Sequence, residues 1–221
     1  MTASPVHQTA AALAALGAAT LGESGGRAMR SRVRAAWPGA RISAPAYPVR
    51  CAPGDNLAVH VAVTTAPAGS VLVVDVGDVA ELGYWGEVLT TGAEARGIVG
   101  LVIDGGVRDV AALAAHGFAV FSTQIALRGA TKQEPGSVGD TARVGGVEVG
   151  FGDWIVADDD GVTVVPLESL ADVLAAGTAR ADKEDGMFAA LRSGQTTVEL
   201  LSLDPSLIDV APIPPSPKES T

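Results

Sequence analysis

The run Gly97-Ile98-Val99-Gly100-Leu101-Val102-Ile103-Asp104-Gly105-Gly106-Val107-Arg108-Asp109 decides the fold. Ile98 to Asp104 is a continuous apolar stretch rich in β-branched residues, the pattern of a strand covered on both faces. Upstream, Val71-Leu72-Val73-Val74-Asp75 follows the turn Pro67-Ala68-Gly69-Ser70 and reads the same way. Between the two, a helix is expected from Glu87 to Ala95, stopped by Gly97. Downstream, a short helix over Ala111 to His116 ends at Gly117, and Phe118-Ala119-Val120-Phe121 makes a third strand. This strand–helix–strand–helix–strand rhythm argues for parallel pairing and an α/β core.

Working outward, residues 8–20 predict a short helix, and the four arginines from Arg27 to Arg34 predict a surface segment. Pro38, Pro45, Pro48 and Pro53 forbid long helices between 37 and 54, leaving short extended pieces at Ala40-Arg41-Ile42-Ser43 and Tyr47-Pro48-Val49. Pro53-Gly54-Asp55-Asn56 is a turn, with Asp55 or Asn56 capping a helix from Leu57 to Thr64. Past residue 130, Val144-Gly145-Gly146-Val147-Glu148-Val149 and Trp154-Ile155-Val156-Ala157 alternate like strands of a β-rich layer. Asp158-Asp159-Asp160-Gly161 is a hairpin turn into Val162-Thr163-Val164-Val165. Pro166 closes that strand and opens a long helix, Leu167 to Leu191. The proline-rich polar stretch 212–221 reads as a disordered tail, leaving one domain over 1–211.

The 221 residues suffice for one sizeable core, and 48% hydrophobic content is that of a packed chain. A net charge of −10 without a local basic stripe argues against nucleic acid as a partner. The single cysteine, Cys51, excludes an internal disulfide and any cysteine-cluster zinc site, and it has no basic neighbour to activate it. The Ala/Leu-rich stretch near residues 10–21 has no Lys or Arg before it, unlike a secretory leader. No apolar run reaches the roughly 18–20 residues that span a bilayer. The expectation is a cytoplasmic protein without a membrane partner.

Two readings stand for Arg108-Asp109. Asp109 N-caps the following helix and Arg108 is a surface residue. Alternatively, Asp109 ligates a divalent cation while Arg108 neutralises an oxygen of an anionic substrate. Hard cations such as magnesium keep several waters, so one direct carboxylate can suffice, and arginine supplies fixed donors. Gly86-Glu87-Val88-Leu89 likewise reads as a helix start with a favourable acidic residue, or as a set of free N–H groups that grip a carboxylate. Asp158-Asp159-Asp160 is better explained as a hairpin tip than as a calcium site. His60, within Leu57-Ala58-Val59-His60-Val61, is expected to be a satisfied core or interface histidine.

Taken together, several motifs resemble the RraA-like family. They are Pro53-Gly54-Asp55-Asn56, Gly86-Glu87 with Ala93-Glu94-Ala95-Arg96-Gly97, Gly100 to Asp109, Gly117-Phe118-Ala119-Val120-Phe121-Ser122, and Gly152-Asp153-Trp154-Ile155-Val156-Ala157-Asp158-Asp159-Asp160-Gly161-Val162. The match runs over about 40–192. It implies a layered β/β/α sandwich of the swivelling-domain type, with a C-terminal helix extending to a neighbouring subunit of a homotrimer or dimer of trimers.

The family holds class II 4-hydroxy-4-methyl-2-oxoglutarate / 4-carboxy-4-hydroxy-2-oxoadipate aldolases, which also decarboxylate oxaloacetate. It also holds non-catalytic regulators that bind and inhibit ribonuclease E. Some members carry a demethylmenaquinone methyltransferase label, but no methyl-donor site is visible here. The resemblance implies a small 2-oxo acid substrate and Mg2+, Mn2+ or another divalent cation. It places the metal ligand at Asp109, the substrate arginine at Arg108, and the pyruvate-binding loop on Gly86, Glu87, Val88 and Leu89. Glu87 takes the place of a carboxylate, often aspartate, that orders a water. Glu184, within Arg180-Ala181-Asp182-Lys183-Glu184, takes that of a catalytic glutamate donated across a subunit interface. The regulators lack the extended helix that carries it.

Overall fold

Strand alternation sets the architecture of this computed structural model, which describes residues 5–211. In chain order the elements are α1 (Pro5–Gly22), β1 (Arg27–Ala28), β2 (Arg34–Ala35), β3 (Ile42–Arg50), α2 (Leu57–Thr65), β4 (Val71–Asp75), β5 (Gly83–Trp85), α3 (Glu87–Glu94) and β6 (Gly100–Val107). They continue with α4 (Val110–His116), β7 (Ala119–Ile125), β8 (Ser137–Val138), β9 (Thr141–Val144), β10 (Val147–Gly150), β11 (Trp154–Asp158), β12 (Gly161–Val165), α5 (Leu170–Arg192) and α6 (Thr197–Leu200). The expected tail at 212–221 lies outside the described residues.

The main sheet runs β1-β12-β11-β3-β4-β6-β7-β2, with β5 added to β6 and β8 to β3; β9 and β10 form a separate hairpin. β3, β4, β6 and β7 are parallel neighbours, as the strand–helix rhythm predicts. Successive side chains of a strand point to opposite faces, so each central strand feeds two cores. Leu72, Val74, Leu101, Ile103 and Val120 enter one core, with residues of α2, α3 and α4. Val71, Val73, Val102, Ala119 and Phe121 enter the other, with Ala142, Val144 and Val149 of the β9–β10 hairpin. Helices therefore cover one face and a β layer the other: a mixed α/β fold of the expected layered type.

A third cluster joins Leu13 and Leu21 of α1 to Trp154, Val156 and Val165. The α1 helix is broken at Gly17 (φ 78°, ψ 167°), where Asp158 Oδ2 accepts the N–H of Ala18 at 2.8 Å. The triple aspartate is thus a hairpin tip whose carboxylates serve the backbone: Asp158 Oδ1 also accepts from Asp160 N–H, and Asp159 from Gly39 N–H.

One expectation about the prolines is corrected. Residues 42–50 form a single nine-residue strand rather than separate extended pieces. Its first half pairs antiparallel with β11 and its second half parallel with β4. The Pro48 carbonyl accepts from Gly139 N–H, so its missing donor faces away from β4. Pro45 precedes the β4 ladder, which starts at Ala46. Neither proline nitrogen faces the paired length of β4, so the parallel ladder is intact at both. The β6 strand also runs three residues beyond Asp104, and Val144 to Val149 is two strands turned at Gly145-Gly146.

The chain divides into two compact units, Met1–Ala181 and Asp182–Thr221. The second contains the last turns of α5, then α6 with a Thr196/Glu199 capping box, then a 3-10 turn at Pro205–Leu207. The long helix expected after Pro166 is present, preceded by a 3-10 turn at Leu167–Ser169.

Leu101 is fully buried in the helix-side core, whereas Leu127 is 86% exposed. Urea unfolding should show Leu101→Ala losing about 2–5 kcal/mol through lost burial and the cavity left behind. Leu127→Ala should stay within about 0.5 kcal/mol of the parent.

Candidate active site

The site forms where the parallel strands β5 and β6 end, the edge at which open α/β sheets bind ligands. Trp85 pairs with Val107, and Arg108 N–H donates to the Trp85 carbonyl at 2.9 Å. This pairing brings the start of α3 against Arg108-Asp109. Trp85 is itself locked by stacking on Phe118 (5.8 Å between centroids) and by donating to Thr90 Oγ1 at 2.7 Å.

Asp109 occupies the N-cap position of α4, but its side chain makes no capping hydrogen bond. Instead Asp109 Oδ2 accepts the backbone N–H of Glu87 at 3.1 Å, on a different helix, and lies 3.8 Å from Arg108 Nε. Its backbone is left-handed (φ 59°, ψ 34°), a conformation that costs a non-glycine residue about 1–3 kcal/mol and clusters at functional sites. Gly86 makes the approach possible: a Cβ there would collide with the Asp109 carboxylate and press on Arg108 Cγ. The N–H groups of Val88 and Leu89, in the first turn of α3, have no intrahelical acceptor.

These groups border a cavity of about 170 Å³ that also touches Tyr84, Asn56, His60 and Lys132. The inner wall is polar. Asn56 is 4% exposed; its Nδ2 donates to the Tyr84 carbonyl at 2.8 Å, and its Oδ1 has no partner among the described residues. His60 Nε2 is likewise buried and has no partner among the described residues, so of the expected core or interface histidine the structure does not show the satisfied core form within this chain. Burial, with Lys132 nearby, pushes the His60 pKa below its ordinary value, against a smaller opposing effect of Asp55.

The far side is a loop held by Asp55. Its Oδ2 accepts from the Thr131 hydroxyl (2.8 Å) and Gln133 N–H (2.6 Å), while Oδ1 accepts Leu57 N–H (2.8 Å) at the start of α2. Burial alone would raise the Asp55 carboxyl, but these donors outweigh it and bring the pKa down to about 2. Cys51, close by, is pushed up to about 12 by burial and by the Asp55 and Asp75 charges, so its thiol stays protonated and unreactive.

The structure thus gathers Gly86, Val88, Leu89, Arg108 and Asp109 around one cavity. Glu87 contributes its backbone N–H, but its carboxylate lies 3.7 Å from His116 Nε2 and does not line the cavity. Glu184 is half-buried on α5, within the second unit. Asn56, His60 and Lys132 are additions that sequence reasoning did not assign to a site. The Asn56/His60 spacing of one helical turn was the available signal.

Comparison with known proteins gives the family and the fold. The family model "RraA-like: Aldolase/RraA" matches residues 10–164, and the chain belongs to that family. A Halalkalibacterium halodurans protein named "Putative 4-hydroxy-4-methyl-2-oxoglutarate aldolase" is 36% identical over 134 residues, 61% of this chain. The chain spans only 64% of that relative's length. Among solved structures, an uncharacterized Pseudomonas syringae protein superposes with TM-score 0.78 and 26% identity, covering 89% of this chain and 94% of the other. Streptomyces coelicolor RraAS2, described as an unusual member of the RNase ES inhibitor RraA family, gives TM-score 0.73 and 27% identity, covering 86% and 100%.

The depressed Asp55 carboxyl stabilises the fold above its ordinary pKa of about 3.8, and that contribution is lost as pH falls toward about 2. Asp55→Asn should therefore lower stability at pH 7 by about 1–3 kcal/mol. Thermal melts recorded from pH 7 down to 2 should show the gap between parent and variant closing across that window.

Proposed function

We propose that the protein is a divalent-cation-dependent aldolase that cleaves 4-hydroxy-2-oxo diacids of the 4-hydroxy-4-methyl-2-oxoglutarate type to pyruvate, and decarboxylates oxaloacetate. One observation carries this reading: the Asp109 carboxylate is turned from its own helix toward the start of α3, beside Arg108 and two first-turn N–H groups that lack an intrahelical acceptor. A residue strained only to cap α4 would make that cap.

A divalent cation fits Asp109. The carboxylate is 41% exposed, and only its Oδ2 has a partner among the described residues. The described residues contain no cluster of three or more His, Cys, Asp or Glu side chains for a protein cage, which suits a hard cation that keeps several of its waters. When bound, such an ion would supply Lewis-acid polarisation of the 2-oxo group.

The chain's own residues do the rest. The N–H groups of Val88 and Leu89 hold the substrate carboxylate at the positive end of α3. As the C3–C4 bond breaks, the electron pair moves onto the 2-oxo oxygen as an enolate, and the Arg108 guanidinium neutralises that charge. The C4 hydroxyl loses its proton, and C3 gains one, to give pyruvate and a carbonyl product. With oxaloacetate the leaving group is carbon dioxide. Glu87 and Glu184 of the partner subunit are the proposed proton-handling carboxylates of a homotrimer or dimer of trimers. For this role Glu87 exchanges its contact with His116 for the cavity mouth, a rotamer change open to an exposed side chain.

The test is coupled pyruvate release from a panel of 4-hydroxy-2-oxo diacids and oxaloacetate, with magnesium or manganese and with chelator. Release should require the cation, and Asp109→Ala should abolish it. Arg108→Ala should lower turnover roughly 100-fold, about 3 kcal/mol of charge stabilisation. The likeness to RraAS2 gives the competing reading, a ribonuclease E regulator. Tight binding of that enzyme with no pyruvate release from any donor would establish it instead.

A further inference from the structure

We infer that His116, braced by Glu94, is a positioning residue that holds the Glu87 carboxylate outside the cavity and lets it go for proton transfer. This rests on the aldolase reading above and adds to it the group that controls one of its carboxylates.

Three side chains tie α3 to α4. His116 is the last residue of α4, and Glu87 and Glu94 are the first and last residues of α3. That spacing is close to two helical turns, so both glutamates project from one face of α3. One imidazole reaches both: His116 Nδ1 lies 2.8 Å from Glu94 Oε2, and Nε2 lies 3.7 Å from Glu87 Oε1. The first contact is a hydrogen bond that fixes the ring. The second is a looser ion pair that can be exchanged.

Glu87 itself is fixed at the site by its backbone, whose N–H donates to Asp109 Oδ2 at 3.1 Å. Val88 and Leu89, next in the chain, line the cavity. Only the Glu87 side chain is left to choose between the cavity mouth and His116, and here it lies at His116. The ring sets that choice through its hydrogens. With both nitrogens protonated it donates to Glu94 and to Glu87 together. A neutral ring that keeps its hydrogen on Nδ1 for Glu94 turns a lone pair toward Glu87 and repels it. No other charged side chain lies on α3, nor on β7, the other element against which α4 packs, so Glu87 and Glu94 are the charged groups those elements turn to the ring. An exposed pair of this kind is weak, so the latch biases Glu87 without locking it.

The experiment measures kcat and KM for pyruvate release from the 4-hydroxy diacid, with magnesium, in the parent, His116→Leu, His116→Gln, Glu94→Gln, Glu87→Asp and the double variant Glu87→Asp/His116→Leu. Freed from the ring, Glu87 should spend more time at the cavity mouth, so His116→Leu should raise kcat about two- to fivefold with KM unchanged. His116→Gln, which cannot take a charge, should do the same, and Glu94→Gln should move kcat in that direction by less. The ratio of His116→Leu to parent should grow as pH falls from about 8 to about 6, the range in which histidine takes up its second proton. Glu87→Asp keeps a carboxylate but draws it back from a ring already 3.7 Å away. In that background His116→Leu should leave kcat within about 1.5-fold, whereas a merely structural effect of His116 would persist. An unchanged or lower kcat in both His116 variants, or a gain that survives in the Glu87→Asp background, overturns the inference while the aldolase reading stands. Pyruvate release from neither the 4-hydroxy diacid nor oxaloacetate by the parent overturns that reading, and the inference with it.

Discussion

The hydrogen bond from Glu87 N–H to Asp109 Oδ2 is the contact on which the site depends. It joins two segments that reach the same edge only because β5 lies parallel to β6. It demands a glycine at 86 and a left-handed aspartate at 109. None of the parts is strong alone. An exposed ion pair such as Arg108–Asp109 is worth about 0–1 kcal/mol, and the aspartate's backbone is unfavourable. Their value lies in placement. A guanidinium, a helix N-terminus and one carboxylate meet at a cavity in a chain whose net charge is −10.

Much of this was legible because it is local. Val71–Asp75 and the run from Ile98 declare buried strands through their own composition, and Arg108 and Asp109 are adjacent. What was not legible depends on partners distant in the chain. Pro45 and Pro48 sit inside a continuous strand, because a proline disrupts a ladder only where its absent N–H faces a neighbour, and which side it faces is a tertiary property. Gly83-Tyr84-Trp85 is too short to show a period and becomes a strand through its pairing with β6. Lys132 is placed by the Asp55 clamp, which no spacing rule anticipates. His60 is a related case: an apolar neighbourhood argues that a histidine is largely buried, not whether its Nε2 finds a partner within the chain.

The pair Asp55-Asn56 bears on why α2 begins as it does. Asp55 already satisfies an orphan N–H of that helix, that of Leu57, and its loop contacts hold it charged. Asn56 is therefore not required as a cap, and its side chain makes no capping bond. Its amide is needed for the Tyr84 carbonyl, but that bond uses only Nδ2. The Oδ1 beside it is buried and has no hydrogen-bond partner among the described residues. Asn56 also lines the cavity that holds Arg108 and Asp109, so the starts of α2 and α3 meet at one site. The same helix start thus does two things: through Asp55 it fixes the loop at 131–133, and through the Asn56 amide it ties α2 to the Tyr84 carbonyl of β5 beside the cavity.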